Sequence, residues 1–283
     1  MRARDMQTGS QGRAGFTLVE LMIVVAIIAV LMSLVAAAVF KAMSLIPQVQ
    51  TVNEIQQLTV AMESFKLKYG SYPPSRILLS NDPNDYASDP TSEQYLRSLW
   101  QALDLSQVDW TGQGSPGNQY GGVLPLYLEG DQCLVYFLRG PTGTGWSTNP
   151  SNPTQAGGTR AGPFFEFVTD RLVSVHGNPF VSYADPYRDS GQYNVYAFFC
   201  SNRRNGYNDT DCKLLGVKPY YQLVSGLPRY YNPNTFQIVS AGKNYRFGPG
   251  GEWSPGLPAA SYGSKKDGFD DLSNFHGELL GVP

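Results

Sequence analysis

The chain has 283 residues, with 21 Lys and Arg against 23 Asp and Glu and a formal net charge of −2 at pH 7. Charged residues make up 16%, below the roughly 25% of an ordinary soluble domain, yet the mean hydropathy of −0.26 is not that of a multi-span membrane protein. This balance, with no long basic run, argues against nucleic acid as the main partner. The 30 Gly, 20 Pro, 18 Tyr and 14 Phe describe a turn-rich chain with enough aromatic volume for a core, which excludes disorder, collagen and a disulfide mini-protein.

Near the start, residues 21–40 read LMIVVAIIAVLMSLVAAAVF, with Ser33 as the one polar residue. Twenty residues at about 1.5 Å each span about 30 Å, enough to cross the hydrocarbon core. Arg2, Arg4 and Arg13 precede this run against the single acid Asp5, and Lys41 is the one charge in the ten residues after it. The positive-inside bias then keeps the N-terminus cytoplasmic and exports everything beyond Phe40. The run is longer than a cleaved secretory signal and lacks a small-residue cleavage site after it. Glu20, within a turn of the apolar run, is a carboxylate at a costly position, unless it sits solvated at the headgroup level.

The stretch Arg13-Ala14-Gly15-Phe16-Thr17-Leu18-Val19-Glu20, followed by the apolar run, resembles the class III signal of type IV pilins and type II secretion pseudopilins. The resemblance implies that a prepilin peptidase cuts between Gly15 and Phe16 on the cytoplasmic side and N-methylates Phe16. It makes Glu20 the fifth mature residue, and the assembly residue that pairs with the Phe16 amine of a neighbouring subunit. Cutting there removes three arginines and one aspartate, the charges that hold the N-terminus inside. The helix can then leave the bilayer if other apolar helices replace the lipid. A charge pair in such a dry core sets axial register more surely than it adds stability.

Helical periodicity continues beyond the membrane run. Val52, Ile55, Leu58, Met62, Phe65 and Tyr69 recur at spacings of three and four, one stripe facing a domain, with Glu54, Gln57, Lys66 and Lys68 off it. Lys66 and Lys68 suit the last turn, Gly70 the position after it, and Pro73-Pro74 prevent continuation. Pro47 is expected to kink the stem or break its ladder locally. The end of this stretch, through Tyr69-Gly70-x-Tyr72-Pro73, is similar to the close of the first helix in major pseudopilins.

Beyond Pro74 the spacing predicts a short amphipathic helix over residues 92–103. Strands are expected at 133–138, 164–168, 180–183, 194–199, 220–223 and 236–240, and Gly/Pro-rich loops at 112–122 and 141–162. The expected fold class is α+β: a long N-terminal transmembrane and stem helix packed on an antiparallel sheet domain, as in pilins. The expected divisions are a leader (1–15), a membrane or filament-core helix (16–40), a stem (41–74) and an exported domain (75–283), with insertions at 76–130 and 141–162.

Phe236-Gln-Ile-Val-Ser240-Ala-Gly-Lys-Asn244 and Asp270-Asp271-Leu272-Ser273-Asn274-Phe275 resemble, more faintly, the last strand and closing segment of the major pseudopilin. The resemblance implies calcium as a possible cofactor, with Asn244, Asp270 and Asp271 as ligands. Lys243-Asn244 stands where that family often has an acidic turn, which weakens the ligand set, and the residues alone favour solvated acids on a surface loop over a calcium site. Cys200 and Cys212 bracket a polar loop that a disulfide would staple in an exported domain, leaving Cys133 as a buried thiol.

Gly112-Gln-Gly114-Ser-Pro-Gly117 matches G-x-G-x-x-G in letters only, since no strand precedes it and no helix follows. His176 and His276 stand apart from other residues at metal-ligand spacing. The expected protein is therefore no enzyme but a structural subunit of a type II secretion pseudopilus or type IV pilus-like filament. Its expected partners are the prepilin peptidase, other pilin or pseudopilin subunits, the inner-membrane assembly platform and, before assembly, membrane lipid. Its expected place is the bacterial inner membrane, single-pass, and then a periplasmic or surface filament. The alternative is a signal-anchored ligand-binding or enzymatic exported domain.

Overall fold

The computed structural model describes residues 16–111, 124–189, 191–201, 206–258, 262–263 and 266–281. The leader, Gly15 and the 112–122 loop lie outside them. Contacts divide the chain into two units, Met1–Ile46 and Pro47–Pro283.

In the first unit, helix α1 (Leu18–Tyr69) begins at the second described residue after Phe16, and no residue from Phe16 to Ile46 is buried. An 18-residue window in α1 has a mean hydropathy of 3.1, and this is one helix long and apolar enough to cross a membrane. Secondary structure runs on through Pro47, so the expected break there is confined to the one hydrogen bond a proline nitrogen cannot donate.

In the second unit the stem stripe packs as its spacing requires. Ile55, Leu58, Ala61, Met62 and Phe65 are buried, with Val52 and Tyr69 packed against the same core. The helix stops where Gly70 takes φ +81° and donates its N–H to Lys66 O at 2.7 Å.

Two further helices cover this core. Helix α2 (Pro90–Leu99) starts two residues before the expected 92 and stops four short of 103. Asp89 caps it by accepting from Ser92 N, with Pro90 in the first turn. Helix α3 (Gly130–Arg139) corrects an expectation: residues 133–138 are helix, not strand. Its Cys-Leu-Val-Tyr-Phe-Leu run is too short and apolar to separate a helix from a buried strand, while Asp131, Gln132 and Arg139, which complete the helical pattern, lie outside it. Gly130 lies so close to the Phe198 carbonyl that a Cβ there would overlap it.

The α+β class and the predominantly antiparallel pairing are as expected, but among the described residues the strands divide into several small sheets rather than one. Strand β1 (Ile77–Leu79) pairs with β2 (Leu126–Leu128), and β3 (Trp146–Ser147) with β4 (Arg160–Ala161) inside the expected 141–162 loop. Strands β5 (Leu172–Val173), β6 (Ser182–Asp189) and β7 (Gln192–Val195) form a three-stranded sheet. Its register shifts between Ala184 and Arg188, around Pro186, which has no N–H for a ladder. There follow β8 (Ala197–Cys200), β9 (Tyr220–Val224), β10 (Leu227–Tyr230), β11 (Phe236–Ser240), β12 (Gly251–Glu252) and β13 (Leu272–Ser273). They pair in the orders 13-11-8 and 10-9-12, and β12 runs parallel to β9.

The strands expected at 220–223 and 236–240 are present. The one expected at 194–199 is split at Tyr196 between two sheets, and the one expected at 180–183 begins only at Ser182. Residues 164–168 are not a strand. There Phe164 packs edge-on to Phe65 at 5.2 Å, and Phe165 and Phe167 pack on Tyr183. These apolar side chains fill core space without a ladder. A second cluster, including Phe199, Tyr220, Val239 and Trp253, lies on the other side of β8 and β11.

Candidate functional site

The segment singled out for processing and assembly forms a helix start. Thr17 precedes the first helical residue, and Glu20 is the third residue of the first turn. Thr17 N and Thr17 Oγ1 donate to Glu20 Oε2 at 2.8 and 2.9 Å, and Glu20 N donates to Thr17 Oγ1 at 3.2 Å. This is a reciprocal capping box, which satisfies two N–H groups left over at a helix N-terminus. Thr17-Leu-Val-Glu20 spells it in the sequence, although attention came to Glu20 from its place beside the apolar run and from the resemblance, not from this pattern. Phe16 is 84% exposed, and Gly15, its partner in the expected cut, lies outside the described residues. The capping box places one carboxylate beside the position where a cut after Gly15 would create an amine.

From here to Ile46 the helix offers apolar side chains to its surroundings on every face. An apolar surface this extensive does not remain in water. It is covered by lipid or by other apolar surface.

The stem's attachment includes a residue that the periodicity had set aside as solvent-facing. Glu54 lies off the stripe, yet it accepts from Arg171 Nη1 at 2.7 Å and Nη2 at 2.5 Å, from Tyr183 OH at 3.0 Å and from Tyr196 OH at 2.7 Å. Arg171 also lies over the Tyr183 ring at 4.2 Å and donates through Nε to Ala184 O at 2.8 Å. Glu54 and Arg171 are 117 positions apart, so no local pattern could signal the pair.

The residues expected to bind calcium are brought together in part. Asn244 N donates to Asp270 Oδ2 at 2.8 Å, and Asn244 Nδ2 to Asp267 O at 2.6 Å. Asp271 is fully buried, and its Oδ2 accepts from Tyr220 OH at 2.9 Å and Gly248 N at 3.0 Å. Its Oδ1 is buried without a hydrogen-bond partner among the described residues. Burial pushes the Asp271 carboxyl well above the ordinary range and raises that of Asp270 less, with the Asn244 N–H opposing.

The expected Cys200–Cys212 staple is not formed: all three cysteines are free thiols. Cys212 instead approaches Phe198 O through Sγ at 3.3 Å, and burial pushes the Cys200 thiol up to about 12. Cys133 is buried as expected, but in a helix. A cleft of about 970 Å³ opens beside Cys200, with Lys66, Arg76, Tyr95, Tyr127 and Asp211 in its wall. Both cations there are already engaged with rings, Lys66 over Tyr72 at 4.3 Å and Arg76 over Tyr127 at 4.6 Å.

Comparison with known proteins agrees with the N-terminal reading. Residues 10–36 match the family described as the prokaryotic N-terminal methylation motif. The match spans Gly15, Phe16 and Glu20 and supports a prepilin peptidase substrate of the pilin or pseudopilin type. With the long apolar helix, it is consistent with a membrane-anchored, exported, type IV pilin-like protein. No curated protein and no solved structure matches the chain.

Proposed function

We propose that this chain is a non-enzymatic structural subunit of a filament, a type II secretion pseudopilus or a type IV pilus-like fibre, built through its N-terminal helix. The observation that carries the reading is the methylation motif at residues 10–36 joined to a helix on which no side chain from Phe16 to Ile46 is buried. Before processing, lipid covers that surface, and the arginines before Gly15 hold the chain in the inner membrane. After a cut at Gly15 those charges are gone, and helices of the same kind take the place of lipid. Head-to-tail contacts between identical surfaces that do not close generate an open fibre.

Glu20 has two successive roles in this account. In the single chain its carboxylate caps α1 through Thr17. In the filament it takes the Phe16 amine of the next subunit, a pair whose burial requires good geometry and so fixes register. The faint likeness of the C-terminal segment favours a secretion pseudopilus within this class. Calcium fits the same reading through Asp271 Oδ1, a buried oxygen in that turn with no hydrogen-bond partner among the described residues. A chelator should then lower the unfolding temperature, and an unchanged value would leave the turn to its hydrogen bonds alone.

The deciding experiment is intact-mass and N-terminal peptide spectrometry on protein from native membranes, together with Glu20→Ala. A mature chain starting at methylated Phe16, with filaments lost in Glu20→Ala while membrane insertion and the domain's fold persist, is the expected result. An unprocessed start in cells with an active peptidase would leave a simple anchor. Normal filaments from Glu20→Ala would remove the register argument.

A further inference from the structure

His176, isolated in the sequence, is not isolated in the fold. It lies in the turn between β5 and β6, 45 positions from Asp131, and its Nε2 stands 3.1 Å from Asp131 Oδ1 and 2.8 Å from Oδ2. Asp131 is in the first turn of α3, and Glu129 immediately precedes that helix. The imidazole Nε2, one Asp131 oxygen and one Glu129 oxygen lie within 4.8 Å of one another. The side chains are 9%, 0% and 15% exposed respectively. We propose that Glu129, Asp131 and His176 form a binding site for a divalent transition-metal ion of the zinc type.

Charge and donor chemistry both lead there. Bound to a metal, two carboxylates and a neutral imidazole would supply three donor atoms and two negative charges in a nearly closed space. The nearest cation, Arg76, comes only to 3.9 Å from Glu129 Oε1 and is stacked on Tyr127. A dication cancels both charges at once, and uncompensated charge is what such a space disfavours. One imidazole nitrogen with two carboxylate oxygens is a borderline donor set that suits zinc, with water in a fourth position. Calcium, which takes six to eight oxygens, is poorly served by three donors, one of them nitrogen.

Ligand atoms around a tetrahedral zinc lie about 3.4 Å apart. The site therefore closes by an inward movement of about 1 Å, largely on Glu129, whose side chain has three rotatable bonds. Binding takes the lone pair of His176 Nε2, so any proton that nitrogen shares with Asp131 leaves to solvent and the neutral ring keeps its one proton on Nδ1. Two ligands are already steered by neighbours: Ser182 Oγ donates to Asp131 Oδ2, and Leu214 N to Glu129 Oε2 at 2.9 Å.

Two plainer accounts each leave something over. The positive end of a helix favours acids but does not call for an imidazole between them. An ion pair explains Asp131 and His176, and Arg76 and Leu214 N hold Glu129, but neither calls for all three ligand atoms to converge within 4.8 Å. The metal would tie the start of α3 to the β5–β6 turn, a cross-link independent of filament assembly.

The test uses the full chain in detergent, stripped with a chelator and titrated with Zn²⁺ by calorimetry, with Co²⁺ absorption reporting coordination. One zinc per chain at micromolar or tighter affinity is expected. His176→Ala and Glu129→Gln should each weaken it at least tenfold, and His276→Ala should leave it unchanged. Glu129→Gln preserves the His176–Asp131 pair, so it separates a metal site from an ion pair, and it decides alone should His176→Ala fail to fold. No zinc bound, or either ligand variant binding as tightly as the parent, would overturn the proposal.

Discussion

Between Leu18 and Ile46 helix α1 is apolar on all sides and buries nothing, whereas between Thr51 and Phe65 the same helix buries a side chain at every third or fourth position. The backbone hydrogen bonding is alike in both stretches, so the difference lies wholly in the side chains. A helix apolar all round has no preferred direction and accepts any apolar surroundings. A helix apolar on one stripe is committed to one partner, its own domain. One continuous element thus supplies an exchangeable surface and a permanent one, which is what a subunit passing from membrane to filament requires.

The largest blow to that contrast should come from Phe65→Ala. Phe65 is fully buried and packs against Phe137 and Phe164, so its truncation should cost about 3–5 kcal/mol of domain stability. Leu67→Ala, at a side chain 90% exposed two residues on and on the opposite face of the helix, should cost less than about 0.5 kcal/mol. All four tryptophans lie beyond Pro47, so their fluorescence during urea unfolding reports the second unit alone. Equal effects would mean that the stripe does not distinguish the two faces.

Glu54→Ala should come next, at about 3 kcal/mol, because it strands the Arg171 guanidinium and two tyrosine hydroxyls at a mostly buried position. The same unfolding curves measure it. A loss below about 0.5 kcal/mol would reduce this contact to an ordinary surface ion pair.

A further effect, at most on the order of 4 kcal/mol across the whole titration, concerns pH and leaves the first unit untouched. Burial pushes the Asp185 carboxyl from 3.8 up to about 7, opposed by hydrogen bonds from Ser240 Oγ and Tyr187 N. The fold favours the protonated form. Its contribution to stability is therefore complete below about pH 4 and is lost as pH rises through 7. Asp185→Asn stays neutral, so it should flatten the decline and leave the variant more stable than its parent at pH 8. The slope that remains belongs in part to Asp211, held at about 6 by burial. An unchanged slope in thermal unfolding from pH 4 to 8 would remove Asp185 as its source.

The sequence by itself determined whatever depends on neighbours along the chain. The membrane-length apolar run, the capping box at Thr17 and Glu20, the stem stripe and the stop at Gly70 all follow from periodicity and backbone rules acting over a few residues. Strands β9 and β11 were legible for the same reason. Tertiary structure decided the rest. Residues 133–138 are the apolar part of a helix whose polar Asp131, Gln132 and Arg139 lie outside that short run, so the run alone could not distinguish helix from strand. The aromatic run at 164–168 fills space against Phe65 and Tyr183 without a strand to pair with. Cys200 and Cys212 remain separate thiols. Glu54 meets Arg171, and His176 meets Asp131 and Glu129, across separations that local pattern does not register, because long-range contacts are chosen by how the elements pack rather than by what lies beside each residue in the chain.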